Sequence, residues 1–182
     1  MGLTQAAWAF ERVLNEPSDV EARGAMALAA YLSGLSLASA GLGLVHGAAS
    51  PLGAAREIPH GVVCGTLIAA VTRRSVAYLF SHGGKGSSGL SLAEGAELER
   101  SRHKYANAGR LLTGRGEATE EEAAAALVEW LEEITVLAGV PRLGAYGFEA
   151  GELTSLASVS GDKNQPVAFD NGATEELLRE RL

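Results

Sequence analysis

The segment that begins at Pro59 is apolar almost all the way round a helix, with Val62, Val63, Leu67, Ile68, Val71 and Leu79, whereas residues 92–112 are apolar on one face and charged on the other. The first pattern predicts a helix at the centre of a bundle and the second an amphipathic one. Polar residues mark the helix starts. Ser18, Ser91 and Thr119 are each followed three residues later by Glu21, Glu94 and Glu122, the capping box in which two side chains satisfy orphan N–H groups of a first turn reciprocally. A first helix is expected over residues 3–14, stopping before Pro17, and a second from Asp19 to the Gly41-Leu42-Gly43 region. A short third helix follows Val45 and ends between Gly53 and Ile58, with Pro51 either kinking it or marking its first turn. The helix over 119–137 closes at Gly139 with Pro141 just beyond, and two short helices, 149–158 and 174–182, flank a turn-rich stretch at 160–166.

Composition turns this list of helices into a fold class. Hydrophobic residues make up 47% of the 182 residues and aromatics only 5%, so the core is mainly Ala, Leu and Val, which favours close helix packing over a β-sandwich. The expectation is all-α, a multi-helix bundle forming a single domain over 1–182. A net charge of −7 argues against nucleic acid as a partner, because phosphate neutralisation needs clustered Lys and Arg. One cysteine, Cys64, cannot form an internal disulfide, and its apolar surroundings predict a buried thiol in a reducing compartment, hence the cytoplasm. The N-terminus carries no signal-peptide pattern. No charge occurs between Arg23 and Arg56, a stretch long enough to span a bilayer, but its many Gly and Ser residues favour a buried helix over a membrane span.

Most chemically suggestive residues have ordinary explanations. The glycine-rich stretch 83–89 lacks a phosphate-loop setting, since Lys85 is followed by Gly86 rather than Ser or Thr, and Gly41, Gly43 and Gly47 are expected to permit close backbone approach. Glu120, Glu121 and Glu122 suit the positive end of a helix dipole. Arg73, Arg74, His103, Glu132 and Glu133 read as solvated or ion-paired surface positions, His82 flanks the glycine-rich stretch, and no nearby basic residue activates Cys64. His46 and His60 differ, because each lies in an apolar or weakly charged neighbourhood where an unpaired imidazole is costly. Fourteen positions apart, they would be separated by about 21 Å on one continuous helix. Two helices meeting at a turn, with Pro51, Gly53 and Pro59 as breakers, would bring them to one metal ion; two hydrogen-bonded core histidines are the alternative.

The stretch Gly41-Leu42-Gly43-Leu44-Val45-His46-Gly47-Ala48-Ala49-Ser50-Pro51-Leu52-Gly53, followed by Ile58-Pro59-His60-Gly61-Val62, closely resembles the signature of the iron-containing (group III) alcohol dehydrogenases. The likeness continues through Glu16 to Arg23, Lys104-Tyr105-Ala106, Val140 to Leu143 and Asn164 to Val167. It implies the helical C-terminal domain of an enzyme whose N-terminal α/β domain binds NAD or NADP, and whose iron, or sometimes zinc, is held by an aspartate and three histidines. Two of those histidines map onto His46 and His60, and a small alcohol or aldehyde is the implied substrate. The nucleotide-binding domain, the aspartate and the first histidine have no counterpart here, and Ser50 stands where the family often has a further histidine. The chain is therefore expected to be inactive alone, with a separate nucleotide-binding domain or chain as partner and a homo-oligomer as a further option. The other reading is a non-catalytic helical module with structural histidines.

Overall fold

The computed structural model describes residues 1–82, 92–161 and 164–182. Its helices are α1 (Gly2–Asn15), α2 (Val20–Ala40), α3 (Leu44–Ala55), α4 (His60–His82), α5 (Leu92–Thr113), α6 (Glu120–Leu137), α7 (Leu153–Ser158) and α8 (Asn171–Arg179), with 3-10 turns at Leu143–Tyr146 and Ala150–Glu152. No strand occurs among the described residues, so the all-α expectation holds. The glycine-rich stretch 83–89, the Ser91 cap and residues 162–163 of the turn-rich stretch lie outside the described residues, as do the side chains of His82 and Glu94.

The caps explain most boundaries and correct two. Thr119 and Glu122 form the expected reciprocal box at the start of α6. Helix α2 is capped by Asp19, whose carboxylate accepts from Ala22 N–H at 2.9 Å, rather than by Ser18. Helix α8 begins at Asn171, three residues before the expected start, because Asp170 accepts from Ala173 N–H at 2.7 Å. The expected helix over 149–158 is a 3-10 turn running into α7. Pro51 and Gly53 do not break α3, which continues to Ala55. Proline removes one helical N–H donor, and Ala48, Ala49 and Leu52 hold the helix by packing into the core.

Helix α4 is the central element, as its all-round apolar pattern predicts. Val63 and Leu67 pack with α3, α7 and Leu178, Ala69 faces Leu112 of α5 and Leu127, Leu131 and Ile134 of α6, and Ala70 and Val71 meet Leu44 and Leu177. Near its end, Leu79 packs with Leu98 and Val167. Helix α4 is long and apolar enough to cross a membrane by length and composition, but 56% of its most apolar window is buried inside the fold, as suits a core helix.

The uncharged stretch after Arg23 departs from expectation. It bends by 100° between α2 and α3, and α2 buries only Ala22 and Ala25. Apolar residues lie all round α2 while α1 covers one side of it, so Leu28, Tyr31, Leu35 and Leu37 stay exposed. The bend follows Gly41, whose φ of +72° is a left-handed conformation that ends α2 at little steric cost. Helix α3 then passes close to Gly161, where a Cβ on Gly47 would lie 1.6 Å from the Gly161 carbonyl oxygen.

Long-range polar contacts lock the chain's end onto α4. Arg73 pairs with Glu132 at 2.6 Å and Glu180 at 2.7 Å, while Arg74 reaches Glu176 and Glu180, both at 2.9 Å. These are the ion-paired positions expected of Arg73, Arg74 and Glu132, and they join α4 to α6 and α8. The Glu180 carboxyl is opposed by partial burial but held below the usual carboxylate range by the Arg74 hydrogen bond and the charges of Arg73 and Arg74.

Candidate metal centre

The site lies where the first turns of α3 and α4 meet. The start of α3 is fixed by Gln165, whose Oε1 accepts from Leu44 N–H at 3.1 Å while its Nε2 donates to Ser75 Oγ of α4 at 3.1 Å. His46 follows two residues later. Between the helices the chain turns at 56–59: Ile58 N–H donates to Arg56 O at 2.9 Å, and the Pro59 carbonyl opens α4 by accepting from Val62 and Val63. Arg56 clamps this corner. Its guanidinium binds both Glu152 oxygens, at 3.0 and 3.1 Å, and lies 5.2 Å from the centre of the Phe148 ring. The required turn is thus supplied by the 56–59 connector rather than by Pro51 or Gly53.

This arrangement brings His46 and His60 together, with ring centroids 5.3 Å apart and planes inclined at 50°. Cys64, one helical turn beyond His60, places Sγ 3.4 Å from His60 Nε2. One donor atom from each of the three residues falls within 4.8 Å of the others. His60 is exposed, and His46 and Cys64 are half-buried, so the cluster is open to solvent on one side. Partial burial pushes the Cys64 thiol up from its ordinary pKa, and His60, one turn away on α4, puts a basic residue beside the thiol where none was expected from the sequence. Cys64 is half-buried rather than fully buried, because it stands at the edge of the core formed by α3, α4 and α7.

Two imidazoles and a thiol at this spacing fit a divalent transition metal, for which neutral imidazole is a common ligand and sulfur a soft one. Cys64 is absent from the donor set expected on sequence, although the spacing His60-x-x-x-Cys64 puts both side chains on one helical face. Ser50, four residues after His46, is exposed. The other histidine with a described side chain, His103, lies in α5 and contacts Glu120 at 3.0 Å, consistent with a surface pair.

Residues 6–180 match the family model described as "Fe-containing alcohol dehydrogenase family, C-terminal". The chain belongs to that family. It is 36% identical over 85 residues to lactaldehyde reductase of Escherichia coli (strain K12), an alignment covering 39% of this chain and 22% of that protein. With the NAD-dependent methanol dehydrogenase of Bacillus methanolicus it shares 38% identity over 87 residues, covering 43% of this chain and 23% of the relative. The fold superposes on a crystal structure of 1,3-propanediol oxidoreductase with a TM-score of 0.78 at 21% identity, over all of this chain and 43% of that one. The chain therefore spans under a quarter of the curated relatives it matches and less than half of the solved structure, as a C-terminal helical domain does.

Proposed function

We propose that this chain supplies the metal-holding helical domain of an NAD- or NADP-dependent alcohol dehydrogenase that interconverts a small alcohol and its aldehyde in the cytoplasm. The observation carrying the proposal is the convergence of His46 and His60, 5.3 Å apart between ring centroids, in a chain of this family. Iron or zinc bound there would supply Lewis acidity toward the substrate oxygen. The chain's own contribution is positional. Gln165 and the Arg56–Glu152 pair hold the starts of α3 and α4, and with them the two imidazoles, in one place. Both imidazoles sit in first turns, where the positive helix ends favour negative charge on the substrate oxygen. The exposed side of His60 leaves room for substrate and for donors from elsewhere. A separate nucleotide-binding domain or chain would provide NAD or NADP and the remaining ligands, an aspartate and a further histidine, because no α/β nucleotide unit exists among the described residues.

Calorimetric titration with zinc, and with ferrous iron under anaerobic conditions, tests this reading. Binding should weaken at least tenfold in both His46→Ala and His60→Ala. No binding to the unmodified chain, or unchanged binding in His46→Ala, would reject the metal site. The purified 182-residue chain should not oxidise alcohols with NAD or NADP, and robust turnover would show that it needs no separate nucleotide-binding partner.

A further inference from the structure

We infer that Cys64 is a third protein ligand, so that this chain carries a His2Cys centre of its own that prefers a thiophilic ion such as zinc to iron. The inference rests on the reading of His46 and His60 as metal ligands and adds to it a donor of a different chemical kind.

The geometry fits. Zinc–nitrogen bonds of about 2.05 Å and zinc–sulfur bonds of about 2.3 Å at the tetrahedral angle set N and S roughly 3.5 Å apart, and Cys64 Sγ lies 3.4 Å from His60 Nε2. The widest separation in the donor triad is within 4.8 Å, which leaves about 1 Å for ring rotation to close toward the tetrahedral spacing. His60 and Cys64 are tied by one turn of α4, so the pair is pre-organised and only His46 must come from another element. Ligation forms one metal–sulfur bond, and the thiol proton passes to solvent with no change of oxidation state.

Chemistry sets the preference. Thiolate is a soft donor, so adding it to two imidazoles favours zinc over ferrous iron more than a site of oxygen and imidazole donors alone does. In this chain by itself, three protein ligands leave a tetrahedral ion one open position, and the exposure of His60 keeps that position accessible to solvent.

Cobalt(II) titration of the full chain, under a phosphine reductant, reads the ligands directly. The expected result is an intense visible spectrum typical of four-coordinate cobalt together with a near-ultraviolet thiolate-to-cobalt charge-transfer band. In Cys64→Ser the charge-transfer band should vanish and cobalt affinity should fall at least tenfold, with weak binding through the imidazoles remaining. Cys64→Ala, checked for unchanged helicity by circular dichroism, guards against a serine-specific folding defect and should behave alike. Zinc should displace cobalt from the unmodified chain far more readily than ferrous iron does. If cobalt binds in a His46-dependent manner but without charge transfer, and Cys64→Ser binds equally well, the thiol ligand is overturned while the histidine site stands. If the charge-transfer band survives loss of both histidines, the thiol acts alone and the three-donor centre is overturned. If cobalt does not bind at all, both readings fall.

Discussion

Replacing Gly47 by alanine sets helix propensity against packing, and the outcome should be decided by packing. In the middle of an exposed helix the change stabilises by about 1 kcal/mol. Here the new Cβ would lie 1.6 Å from the carbonyl oxygen of Gly161, 2.6 Å from its carbonyl carbon and 2.9 Å from its nitrogen. A carbon atom needs about 3.5 Å, so backbone must move by roughly 2 Å, and no flexible side chain is available to yield. Overpacking of this kind costs about 1–3 kcal/mol, here at the upper end, because moving α3 also loosens Ala48, Ala49 and Leu52 against Leu156 and Ala157. The net expectation is destabilisation by about 2 kcal/mol, or a fall in Tm of about 4–8 °C for a chain of this size. Gly53, in the same helix, is the control, since a Cβ there meets nothing within 4 Å. Gly53→Ala should be neutral or raise Tm by up to about 4 °C. Thermal and urea melts followed by circular dichroism measure both. A Gly47→Ala protein as stable as the unmodified chain or as Gly53→Ala would refute the close approach of α3 to Gly161.

Three further outcomes are expected. Gln165→Leu removes the acceptor of Leu44 N–H and the donor to Ser75 Oγ; it should cost about 1–3 kcal/mol in urea melts and weaken zinc binding by displacing the turn that carries His46. Thr119→Ala breaks the capping box of α6 and should cost about 1 kcal/mol in the same melts, without altering metal affinity. Glu180→Gln tests the sign of an electrostatic contribution. The carboxyl's folded pKa is lowered, so its stabilisation is complete above the unfolded carboxylate pKa of about 4.3 and is lost as pH falls through the folded value. The urea midpoint of the unmodified chain should therefore exceed that of Glu180→Gln at pH 7, and the gap should narrow at pH 3; a gap that widens in acid would contradict the ion-pair cluster.

Local chemistry made much of the fold legible. Capping boxes, Pro17 and the breaks near Gly41 and Gly139 place helix ends within a few residues, because a cap is a hydrogen bond between near neighbours in the chain. The differences at Ser18 and at the start of α8 are local too: Asp19 takes the cap position beside Ser18, and Asp170 starts α8 one turn before Thr174. The exposure of α2 could not be read this way. Its apolar residues surround the helix, and only the position of α1 decides which of them are covered.

The site divides along the same line. The residues around His46 and His60, with their Gly and Pro spacing, carry the family resemblance in the order of amino acids alone, and the i, i+4 relation of His60 and Cys64 follows once α4 is a helix. That His46 reaches them depends on a corner clamped by Arg56 to Glu152 and on a helix start held by Gln165, partners 96 and 121 residues away in the chain. Periodicity and capping are set by neighbours and can be read from sequence. The meeting of the donors is set by contacts between distant segments, and the order of residues along the chain does not encode those distances until the bundle has packed.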